Sequence, residues 1–270
     1  MNKGVRCLYT RKMIQSGGIR RKYPYVYNGH TIYYNSRPNT NGDPATIFIN
    51  AGRGKGKQPC FNLALKDGIA TLQSLDRGAD CFDDDFDNTR ELVMAAFSLA
   101  KTMGCTIFQL ADNSTKTCHS HKFTLSNMYF VTTGQTWYES ILSVKTITYT
   151  ESEMKAFRER VQTSTWSDVS AYLISKRKLV DFDFTGLNVN KPGSCMEALN
   201  MIAKMKNAVS CKFFADNLDD IMTAQNILSF HGTLWTVDID KPSAKGTRKI
   251  RSSKGSQGSK GTRKSSSTKD

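Results

Sequence analysis

Phe61-Asn62-Leu63-Ala64-Leu65-Lys66-Asp67-Gly68-Ile69-Ala70-Thr71-Leu72 alternates apolar residues on both sides of a Lys-Asp-Gly turn. A period of two puts every second side chain on one face of a strand, and Asp-Gly supplies the positive φ angles of a tight hairpin. The stretch predicts two antiparallel strands, over 61–66 and 69–75. Thr89 to Met103 then changes period: Leu92, Val93, Ala96, Phe97, Ala100 and Met103 recur at three and four residues and line one face of a helix. Asn88 can cap it, Glu91 stands three residues later as in a capping box, and Gly104 can close its end. Cys105 to Ala111 follows as an apolar run of strand length. A strand pair, a helix and a further strand in succession set an α+β reading.

Working outward, Tyr23-Pro24-Tyr25-Val26-Tyr27 and His30-Thr31-Ile32-Tyr33-Tyr34 flank Asn28-Gly29, a second hairpin signal, and Ala45–Ile49 fits a further strand. Three or four antiparallel strands are expected before residue 76. Ser126–Thr133 reads as a helix stopped near Gly134, followed by Trp137-Tyr138. Past residue 150 the spacing turns helical, over Glu151–Val161, Trp166–Lys176, Cys195–Lys206 and Leu218–Ser229. Val180–Phe184 and Thr233–Ile239 read as strands, the latter placing Trp235, Val237 and Ile239 on one face. They either rejoin the first sheet or form an appended lobe. The expected organisation is a basic segment over 1–22, an α/β core over 23–149, a mainly helical region over 150–240 ending in a strand, and a tail over 241–270. The fold class is α+β, an antiparallel-rich mixed sheet with packed helices, a helical second half and a disordered basic C-terminal tail.

The net charge of +14 conceals a partition. Residues 1–60 carry +10, residues 61–240 carry −5 and the last thirty carry +9. Lys-Gly-Thr-Arg-Lys occurs twice in that tail, at 245–249 and 260–264. Its near absence of apolar residues leaves too little to bury to offset chain entropy, so it reads as a flexible polycation. Such a chain spreads along phosphates and gains affinity by counterion release. Lys245, Arg248, Lys249, Arg251, Lys254, Lys260, Arg263 and Lys264 are the nucleic-acid-binding candidates, joined by Arg53, Lys55 and Lys57 of a Gly-rich loop. Without aromatic residues the tail cannot stack on bases, which makes binding sequence-tolerant. That loop lacks the Gly-Lys-Ser/Thr ending of a P-loop.

The seven cysteines are odd in number, widely spaced and never in a Cys-x-x-Cys pair, a pattern that reads as reduced thiols in a reducing, intracellular compartment. No apolar run is long enough to span a bilayer. Asp83-Asp84-Asp85-Phe86-Asp87 resembles the start of a calcium loop, but Asn88 and Met94 replace its glycine and closing glutamate, so it reads as a solvated cap. Cys118-His119-Ser120-His121 clusters potential soft-metal ligands in what reads as a surface loop. Without a partner pair, and with His231 too little to complete it, no metal is expected there. No Ser/His/Asp or Cys/His arrangement supports a hydrolase.

Strands near 45–50, 61–66 and 69–75, helix 89–103, strand 105–111 and helix 126–133 with Trp137-Tyr138 resemble the latter part of a GNAT-type acyltransferase fold over about 95 residues. The matching residues are Leu99 to Ile107, then Asn113, Gly134 and Tyr138. The resemblance implies acetyl-coenzyme A as cofactor, Tyr138 as general acid, and Arg77 and Gly78 in the pyrophosphate loop. The aspartates at 80, 83, 84 and 85 oppose a pyrophosphate there by charge, so no cofactor is the first expectation. Gln109 to Ser114 and Thr133 to Glu139 also look like uncharacterised proteins of large DNA viruses. Two functions follow: a non-catalytic or degenerate-enzyme viral protein binding nucleic acid or another polyanion through its basic termini, or a divergent GNAT-like acyltransferase.

Overall fold

The computed structural model describes residues 22–38, 46–52, 60–75, 89–176, 178 and 193–240. The expected hairpins form: β1 (Tyr23–Tyr27) pairs antiparallel with β2 (His30–Pro38), and β4 (Phe61–Lys66) with β5 (Ile69–Leu75). Their turns carry positive φ at Asn28 and Gly29 (48° and 84°) and at Asp67 and Gly68 (49° and 81°), the backbone that Asn-Gly and Asp-Gly tolerate best. β3 (Ile47–Ala51) lies between β2 and β4.

Helix α1 (Thr89–Thr102) follows, with Leu92, Val93, Ala95, Ala96, Leu99 and Ala100 buried on the predicted face. Its hydroxyl and carboxylate partners lie on β1: Tyr25 donates to Ser98 Oγ at 2.6 Å and Tyr27 donates to Glu91 Oε2 at 3.0 Å. Burial, and then Glu91, push the Tyr27 phenol up to about 12. Gly104 turns the chain at φ 75° into β6 (Ile107–Ala111), which pairs with β5 in parallel. A parallel pair needs a crossover connection, and α1 lies within it. Phe97 of α1 meets Phe108 of β6 edge to face at 5.5 Å.

The sheet has eight strands in the order β1-β2-β3-β4-β5-β6-β10-β9, where β9 is Lys145–Thr146 and β10 is Leu234–Asp238. Every pairing in it except β5 with β6 is antiparallel. The last strand thus rejoins the first sheet, inserting between β6 and β9. Trp235 fills the core beneath it at 0% exposure.

Residues 125–224 carry α2 (Leu125–Thr133), α3 (Trp137–Ile141), α4 (Glu151–Thr163), α5 (Trp166–Ser175), α6 (Cys195–Met205) and α7 (Ala208–Ala224). Gly134 ends α2 in the left-handed region and donates to Phe130 O at 2.8 Å. The structure corrects two expectations. The helix placed at 218–229 begins ten residues earlier: Asn207 and Ser210 form a capping box, and Cys211, Phe213, Phe214, Leu218, Ile221 and Met222 make one continuous buried face. It ends at Ala224, and Asn226 follows in the left-handed region at φ 52°. The run around Cys118 is a second, two-stranded sheet, β7 (Thr115–Cys118) against β8 (His121–Thr124), rather than a loop. The strand expected at 180–184, the 83–87 aspartates and the tail at 241–270 lie outside the described residues. Among the described residues no helix is long and apolar enough to cross a membrane.

Candidate functional site

The register of β5 on β6 stops at the pair Leu72 and Leu110, yet β5 continues through Gln73 and Ser74 to Leu75. Two strands that run in parallel and then part leave a gap at their carboxyl ends, where open sheets with parallel strands receive ligands. The β4–β5 register also slips here. Asn62 faces Ser74 while Leu63 faces Leu72, so Gln73 is the extra residue of a bulge. A bulge takes its extra residue out of the ladder and re-aims it.

The gap is a cleft of about 790 Å³. One wall is Leu72–Leu75 and the other Ala111 with Asn113–Thr117, the chain leaving β6 for β7. Thr89, the first residue of α1, opens onto it, and Leu125, Tyr129, Trp137 and Tyr138 close its end. Lys116 is the one charged side chain among the described lining residues, and no carboxylate is among them. A helix N-terminus and a lysine together favour an anionic ligand.

Tyr138 is held there by local structure. Thr136 caps α3 and forms a capping box with Glu139, whose Oε2 accepts from the Thr136 N–H at 2.8 Å. The other Glu139 oxygen pairs with Arg158 of α4 at 2.5 Å. The Tyr138 ring packs edge to face on Trp137 at 4.9 Å and is 5% exposed. Burial, with the nearby Asp112 charge as the lesser cause, raises the pKa of its phenol well above the ordinary value. The hydroxyl therefore stays protonated across the physiological range.

Asp112 stands behind the wall, fully buried, where β6 ends. Its N–H donates to Thr233 O and its carbonyl accepts from Gly232 N, each at 2.8 Å. Oδ1 accepts from the Ser114 N–H at 3.1 Å and from the Ser114 hydroxyl, while Oδ2 is buried without a hydrogen bond. Burial raises its pKa above the ordinary carboxylate value, with Ser114, Ser126 and the His231 charge acting the other way. Asn127 of α2 locks the far side: its amide donates to Ser229 Oγ at 3.0 Å and its oxygen accepts from the Phe230 N–H at 2.9 Å. Phe230 centres an aromatic cluster with Phe130, Tyr149, Phe157 and Trp235.

Of the residues singled out in the sequence, Tyr138 and Asn113 meet in the cleft. Arg77, Gly78, Arg53, Lys55, Lys57 and the tail cations lie outside the described residues. Asp112 and Asn127 were not singled out. The only trace of Asp112 is the polar Asp-Asn-Ser break ending the apolar run of β6, the composition of a side-chain-stabilised turn.

The reading of all cysteines as reduced thiols is also corrected. Cys118 and Cys211, 93 residues apart, form a disulfide with Cα atoms 5.7 Å from each other, because α7 packs on the β7–β8 hairpin and brings its first turn against the hairpin's end. Sequence spacing alone carries no sign of that approach. Cys105 and Cys195 are buried, and burial pushes the free Cys195 thiol up to about 12. Neither a protein-family model, nor a curated protein, nor a solved structure matches the chain.

Proposed function

We propose that the cleft between β5 and β6 is an acyl-transfer site of the GNAT type, binding an acyl thioester of coenzyme A and passing the acyl group to an amine. The observation that carries this reading is the parting of the parallel pair after Leu72 and Leu110, with the Gln73 bulge on one side and Tyr138 on the other.

In the reaction the amine nitrogen attacks the thioester carbonyl, the nitrogen gives up a proton to solvent, the carbon–sulfur bond breaks, and the leaving thiolate takes up a proton. Tyr138 lines the cleft with its phenol protonated, and is the side chain placed to pass a proton to the leaving sulfur. A backbone N–H released from the ladder at the bulge can stabilise the developing oxyanion. The N-terminal N–H groups of α1 and the Lys116 ammonium suit the diphosphate of the cofactor.

A melting-temperature titration of the full chain with acetyl-coenzyme A tests this. At a hundredfold excess over Kd, binding stabilises by about 2.7 kcal/mol, a rise of roughly 5–11 °C for a domain of this size. Thr117→Trp, which fills the cleft from its exposed wall, should abolish the rise and leave the unliganded transition in place. No rise in the wild-type chain, or an equal rise in Thr117→Trp, overturns the assignment.

A second reading rests on charge. The ten Lys/Arg of residues 241–270 equip the chain to bind nucleic acid or another polyanion without sequence preference, holding the cleft near acceptors on such a partner.

A further inference from the structure

We propose that Cys118, His119 and Cys211 form a binding site for a soft divalent cation, Zn²⁺ or Co²⁺, that fills when the Cys118–Cys211 disulfide is reduced. The site is independent of the acyl-transfer reading.

The ligand atoms of the three residues all lie within 4.8 Å of one another. A tetrahedral zinc ion, with bonds of about 2.3 Å to sulfur and about 2.0–2.1 Å to imidazole nitrogen, sets its donors roughly 3.6–3.8 Å apart. Opening the disulfide and parting the two sulfurs is thus the main adjustment. Cysteine thiolates and imidazole are the donor set that selects such metals over magnesium or calcium.

The surroundings favour the thiolate and present the imidazole. Cys211 lies in the first turn of α7, its N–H bonded to the cap Asn207 O at 3.0 Å. The partial positive charge of a helix N-terminus favours a thiolate there. His119 and Ser120 occupy the turn between β7 and β8 with φ of 46° and 66°, a conformation that Asn-Gly would adopt with less strain. The turn instead holds an exposed histidine beside a half-buried cysteine, with the buried Cys211 behind them. Three protein ligands leave the fourth position to water.

The chemistry balances with a dithiol or phosphine as reductant. The reductant takes up the disulfide's oxidation, giving two thiols. Zn²⁺ then displaces two protons and forms two zinc–sulfur bonds and one zinc–nitrogen bond. Disulfide and metal are alternative cross-links between α7 and a hairpin whose Thr115, Lys116 and Thr117 line the cleft.

The test is titration of the metal-free full chain with Co²⁺, before and after reduction, with thiols counted on the unfolded protein to verify the redox state. The reduced chain should develop a thiolate-to-cobalt charge-transfer band and the intense d–d bands of tetrahedral cobalt, bleached by Zn²⁺. The oxidised chain should not. Cys118→Ser and Cys211→Ser should lose the bands and Cys195→Ser keep them. His119→Ala, an exposed change that spares the fold, should weaken binding at least as much as losing an outer-shell partner does, roughly 10–100-fold. Absence of thiolate bands in the verified reduced chain, or their survival unchanged in Cys211→Ser or His119→Ala, overturns the proposal.

Discussion

Replacing Asn127 by Ala removes the only side chain that, among the described residues, bonds both Ser229 and Phe230 from α2. Asn127 and Phe230 are both fully buried. Losing the Asn127 oxygen strands the Phe230 N–H in the core, which costs about 1–3 kcal/mol, and losing the amide bond to Ser229 adds roughly 0.5–1.5 kcal/mol. The expected destabilisation is about 1.5–4.5 kcal/mol, a fall in Tm of roughly 3–18 °C. Denaturant melts of the full chain measure it, with the slope unchanged because the surface exposed on unfolding is the same. Ser229→Ala, which leaves the Phe230 N–H satisfied but loses the bonds that Ser229 Oγ accepts from Asn127 and from the exposed His231 N–H, should cost no more than about 3 kcal/mol. The double variant should cost less than the sum of the two, exceeding Asn127→Ala only by the bond that Ser229 Oγ accepts from the exposed His231 N–H at 3.2 Å, since the Asn127–Ser229 bond is already lost. A cost below about 1 kcal/mol for Asn127→Ala, or full additivity with Ser229→Ala, would refute the claim that α2 is tied to the 229–230 turn and that the helices after residue 125 complete the same core as the sheet.

Asp112→Asn should stabilise the chain at neutral pH while keeping Oδ1 for Ser114. The folded-state pKa is raised by burial, so the wild-type contribution is fully present below the unfolded value near 3.9 and is lost as pH rises through the folded value. The gain from Asn should therefore vanish on acidification to about pH 3, and a gain independent of pH would contradict the assignment. Deleting residues 241–270 should flatten the salt dependence of duplex DNA binding by roughly 0.9 in log–log slope for each tail cation on a phosphate; superimposable slopes would remove the tail from the interface.

The parts of the fold readable from sequence are those whose signals are local. The 23–34 and 61–75 hairpins carry their turn residues within them, and α1 carries its period within fifteen positions. The return of β10 to the sheet stayed open because pairing with β6 joins residues more than a hundred positions apart, and an apolar strand reads alike at an edge or in the middle. α7 was placed late because its first turn breaks the apolar pattern: Ala208 and Val209 are exposed, Ser210 is polar, and the burial of Cys211 depends on the hairpin it is joined to. Tyr138 was singled out through the resemblance to the GNAT-type fold, whereas the cleft depends on where two strands stop pairing and on a one-residue slip at Gln73. No residue type encodes that slip. Cys211 was overlooked as a partner of Cys118 for the same reason: nothing within either segment points to the other.

Steady-state acyl transfer by the full chain is the most direct test of the cleft, following thiol release from acetyl-coenzyme A with primary amine acceptors and comparing Tyr138→Phe. The account predicts turnover, unchanged cofactor affinity in Tyr138→Phe, and a kcat lower by roughly 10²–10⁴, the usual contribution of a general acid. Absence of acetylated product with any amine at saturating cofactor, or wild-type turnover in Tyr138→Phe, would contradict it.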